Sequence, residues 1–282
     1  MVLSTPLTVC LVVLGQHVPR LQFLALLLGD RPPLEPHLSY YQRLLSRDQK
    51  EALEVATGHA TARGLENVYD AVLLPALAIA RRDRKHAGLT ADDERFILQA
   101  TQEVSDQLET TPAAIAEIEG RVSAPEPMAS DNPTTTVLIL GSPAHHESEE
   151  LSLHMLARLL KPHGCLVEVL STKALPAEVE ARVERDRPAV VFIAVLPPGG
   201  LVQARYLCKR LRKRFADVPL VIGYWGAERD FDRLLVRLRS AGANYLTTSL
   251  LQSCSQIRAL VRTAPPTLAQ EPARDLQAAG SH

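Results

Sequence analysis

From residue 136 onward the chain alternates two incompatible periodicities, and no other feature constrains its fold as much. Five short runs, 136–140 (TVLIL), 166–170 (LVEVL), 190–196 (VVFIAVL), 220–223 (LVIG) and 245–248 (YLTT), are nearly continuous in apolar residues. The stretches 148–163, 176–187, 201–215, 228–240 and 250–261 instead repeat apolar residues every three or four positions. A short continuous apolar run fits a strand buried on both faces, and the intervening amphipathic stretches are the helices that cover those faces. Tight turns cannot join parallel strands, so a strand-helix alternation is the signature of a parallel sheet.

Five such units predict an α/β domain at 134–263 with a five-stranded parallel, flavodoxin-like sheet in the order 2-1-3-4-5. Ligands of open parallel sheets sit at the carboxyl ends of the strands, where the strand order reverses. The loops 141–150 (GSPAHHESEE) and 196–200 (LPPGG) are therefore expected to line a crevice above the first and third strands.

The region 36–120 reads as an all-α bundle. Tyr41, Leu44, Leu45, Ala52, Val55 and Ala56 have helical spacing, as do Val68, Val72, Leu73, Leu77 and Ile79. Pro75 lies inside the second stripe and is expected to kink it. Thr90, followed by Asp92, Asp93 and Glu94, is an N-cap with acids at the positive end of a further helix. Three or four helices of this length form a small bundle. A linker is expected at 121–133, within a stretch rich in Ala, Pro and Ser, and a disordered tail at 264–282. At 282 residues the chain has room for two modest domains, each with its own core.

The net charge of −1 gives no global attraction to nucleic acid, and 4% aromatic content argues against a base-stacking platform. Charge is local instead. Between Arg205 and Arg214 lie Arg205, Lys209, Arg210, Arg212, Lys213 and Arg214, while Ala204, Leu207, Cys208, Leu211 and Phe215 share the opposite helical face. That cationic face is a solvated surface or a contact for an anionic lipid leaflet, with nucleic acid a third reading that lacks aromatic interleaving and a recognisable reading helix. Self-association into a homo-oligomer is left open. The widely spaced Cys10, Cys165, Cys208 and Cys254 suit buried thiols in a reducing, cytoplasmic setting better than a disulfide frame.

The first crevice loop holds His145 and His146 among Glu147, Glu149 and Glu150. An imidazole oriented by a carboxylate is what a metal or cobalt ligand requires, but acids in a first helical turn are equally explained by the helix dipole. No metal ligand is assigned. One glycine and three carboxylates disfavour phosphate binding. Ser142 and Ser148 lack a nucleophile elbow, so no catalytic residue is assigned and the chain is not expected to be an enzyme. Tyr224 and Trp225, at the end of the fourth strand, either fill the crevice or stack on a planar ligand.

Two resemblances add to this reading. The stretch TPLTVCLVVLGQHVPRLQFLALLLGD has two apolar runs, Leu7–Leu14 and Leu21–Leu28, each short of the roughly 20 residues that span a bilayer. It resembles the end of the membrane domain in the autoinducer-2 exporter family. That likeness implies a membrane-proximal segment at 1–35, a cytoplasmic module at the inner face of a bacterial membrane, and a membrane or membrane-protein partner.

Asp48, Ala52, Val68, Tyr69, Asp70, Leu73, Pro75, Ala76 and Leu77 match the helical cap of cobalamin-binding modules in methionine-synthase-like methyltransferases and light sensors. The resemblance implies a cobalamin-binding-like fold, with cobalamin or another planar tetrapyrrole as candidate cofactor. Arg84 stands where that cap carries a tryptophan, and Arg95-Phe96 where it carries Glu-His. The sheet domain departs from the family pattern too. Pro143 and Ala144 replace the Asp of Asp-x-His-x-x-Gly, and Ser148 and Glu149 replace its Gly. Ala194 replaces the Ser of Ser-x-Leu, and Tyr224-Trp225 interrupt Gly-Gly. The expected crevice residues are thus Ser142, His145, His146, Arg84, Tyr224 and Trp225, in a non-catalytic regulatory or interaction module whose ligand motifs are degenerate. The alternative is a working tetrapyrrole sensor.

Overall fold

A computed structural model describes residues 35–110, 136–226 and 231–263. The membrane-proximal stretch up to residue 34, the linker 121–133 and the tail 264–282 lie outside the described residues. So does the autoinducer-2 exporter resemblance.

The amino-terminal region is helical: α1 (Pro36–Leu45), α2 (Gln49–Arg63), α3 (Leu65–Val68), α4 (Leu74–Lys85) and α5 (Ala91–Glu109). Pro75 does not break the path from α3 to α4. A π-helical turn, Tyr69–Leu73, intervenes, and the Leu74 N–H reaches back to the Tyr69 carbonyl, which leaves Pro75 in the first turn of α4. The wider π turn ahead of it is where the backbone register shifts before the proline. Thr90 caps α5 in a reciprocal box with Asp93, as its position before three acids suggests.

The second region is a five-stranded parallel sheet in the order β2-β1-β3-β4-β5. Its elements are β1 (Val137–Pro143), α6 (Glu147–Leu160), β2 (Cys165–Val169), α7 (Pro176–Asp186), β3 (Val190–Val195), α8 (Leu201–Arg214), β4 (Leu220–Tyr224), α9 (Phe231–Arg239), β5 (Tyr245–Thr247) and α10 (Leu250–Thr263). β1 runs three residues past its apolar run, because Gly141, Ser142 and Pro143 pair in register with Phe192, Ile193 and Ala194 of β3.

The described residues form two cores, divided by the sheet and not by the boundary between the two regions. Alternate β3 side chains Val191, Ile193 and Val195 pack with α7, α8 and α9. Val190, Phe192 and Ala194 face the other way, into one cluster that continues through α6 and α10 to Tyr40, Tyr69, Leu73, Leu77 and Val104 of the helical region. The expectation of a separate bundle core therefore gives way to a shared one. Polar ties reinforce it. Both Asp70 carboxylate oxygens accept N–H groups at the start of α10, from Leu250 at 2.7 Å and Leu251 at 3.0 Å. Arg158 of α6 grips Ser105, Asp106 and Glu109 of α5.

Candidate functional site

The loops after β1 and β3 meet above the sheet, as a 2-1-3 strand order requires. The Ala144 N–H donates to the Ala194 carbonyl at 2.9 Å. Gly199 and Gly200 follow a cis Pro197-Pro198 peptide, with φ of 103° and 76°. A Cβ on Gly200 would lie 2.9 Å from Val195 Cγ1, 3.0 Å from Glu149 Oε1 and 3.1 Å from His145 Nδ1. Only glycine suits both that backbone and that proximity.

The group on which the two loops converge is Glu149. Its dipole-favoured place in the first turn of α6 describes it poorly, because its side chain is fully buried. Oε2 accepts the backbone N–H groups of His145 at 2.7 Å and His146 at 3.0 Å. Oε1 accepts the Leu196 N–H at 3.1 Å and an Arg81 N–H at 3.3 Å. Burial alone would raise the carboxyl's pKa; the donors around it, led by His145, more than offset this and hold it below the usual range.

Arg81 comes from α4, on the opposite side of the interface, and is 8% exposed. Besides Glu149 it donates to the carbonyls of Leu196 and of Pro198, the latter at 3.0 Å, and to His145 Nε2 at 3.0 Å. Burial pulls its pKa down and Glu149 opposes that. A guanidinium has only donors, so His145 must offer Nε2 as an acceptor and carry its proton on Nδ1. Nδ1 in turn faces Glu149 Oε1 at 3.2 Å, off the line of a hydrogen bond, with its N–H dipole toward the carboxylate.

His146 caps α6. Its Nδ1 accepts the Ser148 N–H at 3.1 Å, so Nε2 carries the proton and faces Glu94 Oε1 of α5 at 3.3 Å. Burial, then the Arg81 charge, push its pKa down to about 4, leaving it neutral near pH 7. Glu94 is also 3.4 Å from Arg84 Nε, so a second polar chain, Arg84–Glu94–His146, runs beside the first. Burial raises the Glu94 pKa against the pull of Arg84 and Arg81.

The residues singled out in the sequence thus separate into groups. Arg84 joins His146 through Glu94, while His145 sits in the Glu149 network. Ser142 is buried at the end of β1, and its hydroxyl donates to the Pro143 carbonyl at 3.4 Å. Tyr224 packs half-buried on the α7–α9 side of the sheet. Trp225 turns to the bundle side, fully buried, its ring stacked on Phe192 at 5.6 Å and its indole N–H donating to Ser253 at 3.2 Å. A Cβ on Gly223 would meet both rings at 2.7 Å, so the space beside β4 is filled.

Two central residues, Arg81 and Glu149, were not among those candidates. The signal for Arg81 was its place seven residues after Leu74 and four after Leu77, on the apolar stripe of its helix. Among the described residues no cluster of three or more His, Cys, Asp or Glu could hold a metal ion. A separate polar cleft of about 370 Å³ lies toward β2, between α5 and α6, where Gln99, Gln102, Glu147, Glu150, His154 and Thr172 line it.

No protein-family model matches the chain, and no curated protein matches it. Among solved structures it is similar to the methanol:cobalamin methyltransferase complex MtaBC from Methanosarcina barkeri, at 14% identity over 84% of this chain and 83% of that one, with a TM-score of 0.38. It is also similar to a cobalamin-binding protein from Desulfitobacterium hafniense DCB-2, at 14% identity over 78% of this chain and 96% of that one, with a TM-score of 0.37. The fold assignment rests on strand order and register.

Proposed function

We propose that the chain is a non-catalytic regulatory or interaction module, built as a helical cap on a cobalamin-binding-like sheet domain, in which the cofactor crevice is closed by the chain's own side chains. The observation that carries this is the bond from Arg81 to His145 Nε2, 3.0 Å long. With Nδ1 turned to a carboxylate, Nε2 is the only lone pair that His145 could give to a metal, and a guanidinium occupies it. The His146 Nδ1 lone pair is likewise engaged, by the Ser148 N–H. Trp225 fills the space next to β4 in which a nucleotide tail would have to run. The residues present therefore do not fit a bound corrinoid. In this reading the architecture serves as a closed interface, and the module is the cytoplasmic part of an exporter-like membrane protein at the inner face of a bacterial membrane. Among the described residues no helix is long and apolar enough to cross a membrane.

A second reading, a working corrinoid sensor, draws on one specific feature: Glu149 beside His145 Nδ1 is the carboxylate–imidazole pairing that orients a metal-binding histidine. Gel filtration after incubation with hydroxocobalamin separates the two. The closed module elutes without visible absorbance, and its melting temperature is unchanged. Co-elution of a stoichiometric red chromophore with a shifted spectrum would favour the sensor.

A further inference from the structure

The cations between Arg205 and Arg214 look equivalent in sequence but fall into two classes in the fold. Arg210 forms a two-pronged pair with Glu180 of α7 at 2.7 and 2.9 Å, and Arg214 reaches Glu184 at 2.6 Å. Arg212 binds the Gly242 carbonyl at 3.0 Å and the Asn244 side chain at 2.6 Å, tying α8 to the turn before β5. These three are committed internally.

Arg205 is half-buried at the flank of α8, and the remaining two, Lys209 and Lys213, lie on a different line. At about 100° per residue, Val202, Tyr206, Lys209 and Lys213 form one ridge, opposite the buried Ala204, Leu207, Cys208 and Leu211. Val202 is 74% exposed and Tyr206 53%. On the neighbouring α9, Leu238 is buried while Val236 is 69% exposed, and Arg237 is exposed beside it. Lys209, Lys213 and Arg237 form no ion pair among the described residues. Among the described residues of α9 and of the turn after α8, the acids are Asp232, in the first turn of α9, and Asp217; both are exposed.

We infer that the outward ridge of α8 and α9 docks on the headgroup layer of an anionic lipid bilayer. This rests on the reading of the chain as a membrane-face module. Charge complementarity picks the partner, and the interleaved valines and tyrosine distinguish it from a nucleic acid. A bilayer interface accepts aliphatic side chains and lysines at one depth, lysines reaching the phosphates while valines enter the acyl boundary. A phosphodiester backbone rewards only the cations and would leave Val202 and Val236 in water.

The test is flotation of the full chain with vesicles of phosphatidylcholine alone, or of phosphatidylcholine and phosphatidylglycerol in equal parts. The wild type should float with the anionic vesicles in low salt, be released in high salt and ignore the neutral ones. Each cation near such a surface is worth roughly fivefold in partitioning, so Lys209→Ala, Lys213→Ala and Arg237→Ala together should weaken binding roughly a hundredfold. Val202→Ser with Val236→Ser should weaken it further at any salt. All five side chains are exposed, so unchanged melting temperatures certify the fold of the variants. Absence of flotation overturns the proposal. So does equal flotation on neutral vesicles, or flotation that survives the triple substitution, since the apolar stretch 7–28 would then be the anchor. Salt-sensitive binding to duplex DNA without binding to vesicles overturns it as well. None of these outcomes depends on whether the chain takes up hydroxocobalamin, so the two readings fail separately.

Discussion

The Glu149 carboxylate accepts four hydrogen bonds, from the N–H groups of His145 and His146 on one oxygen and from those of Leu196 and Arg81 on the other. Glu149→Gln is close to isosteric, yet its amide NH2 must face one of these pairs, donor against donor, whichever way it flips. Two buried N–H groups lose their acceptor, at about 1–3 kcal/mol each. Arg81 also loses its buried counter-charge, and breaking such a pair from one side costs about 3–5 kcal/mol in total. These contributions overlap, so we expect a loss of about 3–5 kcal/mol, a large part of the 5–15 kcal/mol typical of a folded domain. Urea unfolding measures it directly. The exposed Glu147→Gln in the same turn is the control and should stay within about 0.5 kcal/mol of wild type. A Glu149→Gln loss below about 1 kcal/mol would refute the idea that this carboxylate closes the crevice.

Acid should weaken the same interface. The folded-state pKa of His146, about 4, is depressed from the ordinary 6.5. Below pH 6.5 the unfolded chain takes up a proton that the folded one refuses, so stability is full at neutral pH and falls toward pH 4. A shift of that size is worth about 3 kcal/mol; His146 is 26% exposed, which screens it to about 2 kcal/mol. His146→Asn keeps a cap and should flatten the urea midpoint between pH 7 and pH 5; an unaltered slope would assign the dependence elsewhere. Glu149 acts lower on the scale: its depressed pKa stabilises the fold above the usual carboxylate range and is lost as pH falls through the depressed value. Trp225 is the chain's one tryptophan, so native emission should be blue-shifted and poorly quenched by acrylamide. Trp225→Ala should cost about 3–5 kcal/mol in urea unfolding, whereas a loss under 1 kcal/mol would mean the ring is not packed as described.

The sheet was legible in the sequence because strands buried on both faces must be continuously apolar, and 190–196 is the plainest case. The end of β1 was not, since Gly141, Ser142 and Pro143 carry no apolar signal and are held in the sheet by pairing with β3. Pro75 marked an irregularity but not its form, because a π turn depends on a register shift in the preceding backbone. The crevice could be located from strand order alone. Its occupant could not: Glu149 looks like any first-turn acid and Arg81 like its neighbours Arg82 and Arg84. Only the packing of α4 over the two loops makes them partners across 68 residues of chain. Likewise the pairing of Arg210 and Arg214 with α7 is a tertiary fact that no local spacing carries.

Closure of the crevice is tested most directly by native-state amide exchange at His145, His146 and Leu196, whose N–H groups end on Glu149. If Arg81 and Glu149 hold the loops shut, these three amides exchange only through global unfolding, with the same protection as the central amides of β3. Exchange faster than β3 by a factor of a thousand or more, an opening about 4 kcal/mol easier than global unfolding, would show a crevice that opens on its own and contradict the closed module.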